Sequence, residues 1–371
     1  IKCENMVIIP VKRKGELMRK TSEKILRTLL AVSVLATAVL SSGCLDDEEE
    51  ISDSTASDNR QTSDGGNAEG SEGSEGSEGS DNKYEGSVTG SRASKLTFSG
   101  SDGISIARKQ REAEKPMGED GTQTVFVYMC GSDLESENGL ASGDIEEMIA
   151  GSQSENVKFV IQTGGAGAWA DTYGISAEKT QRYVVTGGEI SLIEEKEPVN
   201  MGKEDVLVDF LSWGIENYAA AKMGLIFWNH GGGSISGVCF DELNENDSLS
   251  LEEIDTALTS VSVSYTHDKM TDKYAFIGFD ASLMATVETA NMLVPHADYM
   301  FASEETEPGY GWDYTEIAGF MESNPTADTT ELGKTVADSF MASCEAIGAG
   351  GEATLSITDL SRIDELVKAV N

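Results

Sequence analysis

Phe276-Ile277-Gly278-Phe279-Asp280-Ala281-Ser282-Leu283-Met284-Ala285 reads as an apolar strand, Tyr274 to Phe279, that breaks into polar residues and then enters a helix, Met284 to Leu293. A strand feeding a helix in this way is the unit of an α/β fold, in which a mostly parallel sheet is covered by helices on both faces. The same alternation continues in both directions. Upstream, Thr124 to Met129 and Val157 to Gln162 read as buried strands, Arg182 to Val185 with Ile190 to Ile193 as a hairpin, and Lys222 to Trp228 as a further strand. Glu204 to Ala221 and Leu251 to Val261 carry helical apolar spacing. Downstream, Tyr299 to Ala302 and Thr354 to Ile357 read as strands around a helix from Thr335 to Ala346. In sheets of this kind ligands collect at the carboxyl ends of the strands.

Two of those ends stand out. Ser282 sits at a strand-to-helix turn, where a nucleophile would be exposed near unpaired helix amides; Asp280 or Ser282 capping the helix explains the same residues. The other is Phe227-Trp228-Asn229-His230-Gly231-Gly232-Gly233, an apolar strand running into His230 and three glycines. Glycines allow close backbone approach and let amide N–H groups point into a site; a plain glycine-rich turn beside an incidental His is equally compatible.

Composition narrows the function classes. The chain has 371 residues, 65 acidic against 27 basic side chains, and a formal net charge of −38. Such a surface opposes unaided binding to nucleic acid or anionic lipid. Five Cys without a CxxC pair, and three His without HExxH, leave neither a disulfide scaffold nor a zincin site, and no metal ligand set is assigned. Gly333-Lys334-Thr335 resembles the end of a P-loop, but Asp328 stands where its first Gly is required. Gly164-Gly165-Ala166-Gly167 lacks the dinucleotide-binding frame.

The first third of the chain has a different character. Met18 reads as a start, followed by a cationic region (Arg19, Lys20, Lys24, Arg27) and the apolar run Leu29 to Leu40. That run has the size of a signal-peptide core and is too short to span a bilayer. Ser41-Ser42-Gly43-Cys44 resembles a lipobox with Leu40 one position early, so residues 1–44 are expected to be a signal peptide ending at a lipidated Cys44. The expected location is the bacterial cell envelope, outside the cytoplasm and lipid-anchored, or otherwise secretion; membrane contact is through that lipid alone. Residues 45–81 hold thirteen acidic groups and only Arg60, with Gly70-Ser71-Glu72 repeated to Ser80. Low apolar content and self-repulsion predict a disordered stalk, taken as 45–121, ahead of a globular domain over 122–371.

The two strand ends, with Tyr128-Met129-Cys130-Gly131-Ser132-Asp133-Leu134-Glu135 on the first strand and Ala302-Ser303-Glu304-Glu305-Thr306-Glu307-Pro308-Gly309-Tyr310-Gly311-Trp312 further on, resemble the clostripain-like family of cysteine peptidases. The resemblance covers about Val125 to Leu366 and implies the caspase-haemoglobinase-like fold shared with caspases and gingipains. It implies a His–nucleophile dyad with His230 handling protons, amides of Gly231 and Ser282 forming an oxyanion hole, and Asp280 receiving a basic P1 side chain. Glu304, Glu305 or Glu307 would supply a second carboxylate. Basic peptides or proteins are the implied substrates, and a monomer is expected.

This chain departs from the family at the nucleophile: Ser282 stands where the family places Cys. A thiol reaches a useful thiolate fraction near neutrality, whereas a hydroxyl needs strong general-base help. The chain is therefore a silent homologue that binds basic peptides or partners without cutting them, a serine hydrolase using Ser282 and His230, or a form carrying an introduced Ser. Cys130 and Cys239 lie off the nucleophile position and read as small hydrophobes, as does Cys344. Some relatives self-cleave between His and nucleophile, which points to Ser262 to Lys273 with Lys269 and Lys273. Some need Ca²⁺, for which the oxygen-rich Asp241-Glu242-x-Asn244-x-Asn246-Asp247 is the candidate, though without full EF-hand spacing.

Overall fold

The computed structural model describes residues 86–88, 94–99, 103–108, 118–265 and 273–370. The signal-peptide and lipidation expectations, Cys44 included, fall outside the described residues, as does Lys269. Within the interval read as stalk, Gly86–Val88 (β1), Ser94–Ser99 (β2) and Gly103–Arg108 (β3) form a three-stranded antiparallel sheet. Leu96 pairs with Ile106 and Phe98 with Ile104 in register. Apolar residues alternate with polar ones there, the period-two pattern of strands, although the surrounding composition is that of a spacer.

The main sheet has eight strands. They are Gln123–Cys130 (β4), Val157–Gly164 (β5), Thr180–Thr186 (β6), Glu189–Lys196 (β7), Lys222–Trp228 (β8), Tyr274–Asp280 (β11), Ala297–Ala302 (β12) and Ser356–Asp359 (β13). Val238–Asp241 (β9) and Asp247–Leu249 (β10) pair apart from it. The order is β13-β12-β11-β8-β4-β5-β6-β7, with the five strands from β12 to β5 parallel and the edges antiparallel. A mostly parallel sheet between helices is thus the architecture, as the sequence predicts.

Side chains sort by strand parity. On β4, Phe126 and Tyr128 join Phe227 on one face, against Leu207, Phe210 and Leu211 of the helix Glu204–Tyr218 and Ile254 of the helix Leu251–Tyr265. Val125, Val127 and Met129 join Ile226 and Trp228 on the other, against Ile145 of the helix Leu140–Gly151, Ile317 of Tyr314–Ser323 and Phe340 of Thr329–Ala346. Burial on both faces is why these strands read as continuous apolar runs. Among the described residues no helix is long and apolar enough to cross a membrane.

Two expected elements differ. The helix expected from Met284 begins at Val287, because Thr286 caps it by accepting from the Thr289 amide at 3.1 Å. Ala281 to Thr286 is instead a tight turn with Leu283 at φ 67°, so neither Asp280 nor Ser282 is a helix cap. The helix expected from Thr335 begins at Thr329, closed by an Asp328–Glu331 capping box. Gly333-Lys334-Thr335 therefore lies inside a helix.

Candidate active site

The carboxyl ends of β4, β8, β11 and β12 converge. Strands β8 and β11 run parallel with Trp228 opposite Asp280, and the Asn229 amide donates to the Asp280 carbonyl at 3.3 Å. His230 and Ser282 therefore leave neighbouring strand ends at the same level. Buried Asn229 ties β8 to β4: its Nδ2 donates to the Cys130 carbonyl at 2.7 Å, while its Oδ1 accepts from the Phe240 amide at 2.7 Å. A cleft of about 250 Å³ opens between these ends, lined by His230, Ser282, Asp280, Glu307, Trp228 and Gly311 among others.

The two residues of the expected dyad share that cleft, each with its own partner. His230 Nε2 pairs with Asp133 Oδ1 at 2.7 Å. The Ser282 Oγ accepts from the Glu307 amide at 3.0 Å. Among the described hydrogen bonds none joins the imidazole to the hydroxyl. The amides of Gly231 and Ser282 donate in none of the described hydrogen bonds; of the two residues, Ser282 lines the cleft. Leu283 and Ala285 fix the turn by donating to the carbonyls of Glu305 and Ser303 at 3.0 and 2.9 Å.

Below the turn the cleft ends in acid. Asp280 is buried and accepts from Tyr314 Oη at 2.9 Å and the Trp312 amide at 3.3 Å. Burial pushes its carboxyl up to about 6. Glu307 faces it with both carboxyl oxygens buried and without a hydrogen-bond donor in good geometry. Burial, then the charge of Asp280, raises Glu307 well above the usual carboxylate range. Asp144, buried and accepting from the Trp228 indole at 2.6 Å, is raised in the same way, and half-buried Glu147 rises to about 6. Desolvation disfavours the charged form of each, and without a cation the cluster shares protons. Of the three candidate glutamates only Glu307 lines the cleft; Glu304 and Glu305 are exposed on its approach.

Other candidates fall away from this site. Cys130 and Cys239 are fully buried, and burial raises both thiols. Cys344 is buried in the helix Thr329–Ala346, its thiol pushed up to about 11. His296 pairs with buried Asp255 at 2.7 Å, and its carbonyl accepts from Tyr274 at the opposite end of β11. In the oxygen-rich loop, Asp241 accepts from the Met201 and Leu243 amides and from Asn244 Nδ2, while Asp247 pairs with Lys203 and Asn200. Among the described residues no group of three or more His, Cys, Asp or Glu side chains is arranged to hold a metal ion. Of the segment expected to be self-cleaved, Ser262 to Tyr265 ends the helix Leu251–Tyr265, and Lys273 Nζ donates to the Val294 carbonyl at 2.6 Å.

Asp133, Asp144 and Glu147 were not assigned to the site by sequence. For Asp133 the signal was present: a buried strand leaving through Gly131-Ser132-Asp133, the same grammar as the strands before His230 and Ser282. Asp144 and Glu147 lie on a helix distant in sequence and carry no such mark.

The clostripain family model, peptidase family C11, matches residues 127–371. The chain belongs to the clostripain family. It is 27% identical to clostripain of Hathewaya histolytica over 230 residues, covering 53% of this chain and 41% of that protein, so it spans well under half of that relative's length. Two solved structures share the fold, both of secreted C11 cysteine proteases from Bacteroides thetaiotaomicron. One, bound to an irreversible peptide inhibitor, superposes with a TM-score of 0.51 at 22% identity, covering 67% of this chain and 69% of that one. The other gives 0.52 at 17% identity, covering 68% and 69%.

Proposed function

We propose that this protein is a clostripain-type endopeptidase site for Arg and Lys at P1, exported and tethered through Cys44, in which residue 282 is the nucleophile and His230 the proton carrier. The observation that carries the reading is the pair of buried carboxylates, Asp280 and Glu307, at the closed end of a cleft whose mouth holds His230 and Ser282. A buried, unpaired carboxylate pair is costly alone and is relieved by a cation; a planar guanidinium fits between two carboxylates especially well. With the P1 cation seated there, the scissile carbonyl lies at the mouth, beside the amides of Gly231 and Ser282.

The hydrogen bond from the Glu307 amide to Ser282 Oγ supports a second reading, in which the protein binds basic peptides without cutting them. A hydroxyl held there and not by the imidazole lacks the base it needs at the moment of attack.

Arg-P1 and Lys-P1 fluorogenic peptides distinguish the two. In the peptidase reading Ser282→Cys turns them over on the order of a hundredfold or more faster than the parent, because the thiolate is the stronger nucleophile. His230→Ala in that background abolishes turnover. Binding of the same peptides without turnover in any form supports the second reading. No binding and no turnover would defeat both.

A further inference from the structure

We propose that Asp133 is the positioning residue of His230: its carboxylate holds Nε2–H and leaves Nδ1 as the proton-accepting nitrogen toward the cleft. The inference rests on the peptidase reading above and adds a third member to the expected pair. Asp133 Oδ1 lies 2.7 Å from His230 Nε2 and also accepts from Ser132 Oγ at 3.1 Å. Burial pushes the Asp133 carboxyl up, but the hydrogen bond and charge of His230, with the Ser132 hydroxyl, hold it below the usual range. A carboxylate ionised at neutral pH can only accept, so the nitrogen facing it carries the proton. Fixing one ring nitrogen in this way sets the tautomer of the other.

Stability alone gives this pair little reason to exist. The two side chains are 44% and 51% exposed, and exposed ion pairs contribute little to folding. The backbone nevertheless adopts an uncommon conformation to present Asp133. Ser132 has φ 51°, and the turn is pinned by the Gly131 and Ser132 amides donating to the carbonyls of Gly164 and Gly165 at 2.9 and 3.1 Å. Asn229 links the same strand end to the one bearing His230.

The proton path follows. As the nucleophile forms its bond to the scissile carbonyl carbon, its O–H or S–H proton passes to Nδ1 and the carbonyl π pair moves onto oxygen. On collapse the C–N bond breaks and the proton on Nδ1 goes to the leaving amine. Asp133 stays ionised and Nε2–H stays in place, stabilising the imidazolium between the two transfers.

The test uses ¹⁵N-histidine-labelled full-length chain. Two-bond ¹H–¹⁵N spectra report the tautomer of His230, assigned by loss of its signals in His230→Gln. The expected parent state near pH 8 is protonated at Nε2 alone. Asp133→Asn should mix the tautomers, and Asp133→Glu should restore part of the Nε2–H form. In the Ser282→Cys background, Asp133→Asn should cost roughly tenfold or more in kcat with KM for an Arg-P1 peptide unchanged, as orientation of a general base predicts. Circular dichroism checks that these half-exposed substitutions leave the fold intact. An unchanged tautomer in Asp133→Asn overturns the proposal, as does an altered tautomer with unchanged kcat. Absence of turnover in Ser282→Cys itself counts against the peptidase reading, while the spectra still decide what Asp133 does to the ring.

Discussion

Gly231 packs directly on the backbone of Ser282: a Cβ placed on Gly231 would sit 2.1 Å from the Ser282 carbonyl oxygen. The glycine after the histidine is thus a contact surface between two strand ends. It sets how near the imidazole and residue 282 come to one another.

Gly231→Ala should therefore destabilise the fold by about 1–3 kcal/mol, because the obstructing atom is main chain and cannot rotate aside. A lowered denaturant midpoint is the measurement, and unchanged stability would contradict the close packing. In the Ser282→Cys background the same change should lower turnover, since the displaced turn carries residue 282, the proposed nucleophile.

Asp280→Asn in that background should remove most of the preference for basic P1. Truncating one partner of a buried charge pair costs on the order of 3 kcal/mol, or roughly a hundredfold in kcat/KM. Comparing Arg-, Lys- and Leu-P1 peptides reads the result; equal losses on all three would argue against Asp280 as the cation's partner.

The acid cluster predicts a pH-dependent stability whose sign can be worked out. Burial pushes the folded Asp280 and Glu147 carboxyls up to about 6 and raises Asp144 and Glu307 well above the ordinary carboxylate range. Groups raised on folding bind more protons in the native state. Their contribution is fully present below the unfolded carboxylate range and is lost as pH rises through 6 and beyond. Asp144→Asn, whose amide oxygen can still accept from Trp228, should raise Tm relative to the parent by an amount that grows from pH 5 to pH 8. A constant difference across that range would contradict the coupling.

Arg182 makes a separate structural prediction. Its guanidinium is buried beside Trp213, 4.7 Å from the ring centroid, and donates to Gln162, Glu194 and Asp209. Arg182→Met should cost about 1–3 kcal/mol in urea unfolding because the buried acceptor Gln162 loses its donor, while Glu194 and Asp209 are partly exposed and keep Lys196 beside them. Arg182→Lys should recover little, since an ammonium lacks the planar fork.

Much of the fold is legible in the chain. Strands β4, β5, β8 and β11 are buried on both faces, so each reads as a mostly apolar run, and Lys222–Trp228 matches its expected bounds. Local chemistry that depends on one hydrogen bond is less legible. Thr286, not Asp280 or Ser282, caps the next helix, and the left-handed Leu283 lengthens the turn. The strands Ser94–Ser99 and Gly103–Arg108 are masked by a surrounding composition of Ser, Gly and charge.

Sequence alone determined the layered α/β architecture, the two strand ends bearing His230 and Ser282, and the presence of Asp280 between strand and turn, because apolar periodicity and glycine placement are local properties of the chain. The tertiary structure decided which polar groups meet. It set Asp133 on Nε2 of His230, chose Glu307 over Glu304 and Glu305 to line the cleft with Asp280, and brought buried Asp144 within electrostatic reach of Asp280. Those relationships arise from the parallel register of strands far apart in the chain and from desolvation in the closed end of the cleft, neither of which any single segment encodes.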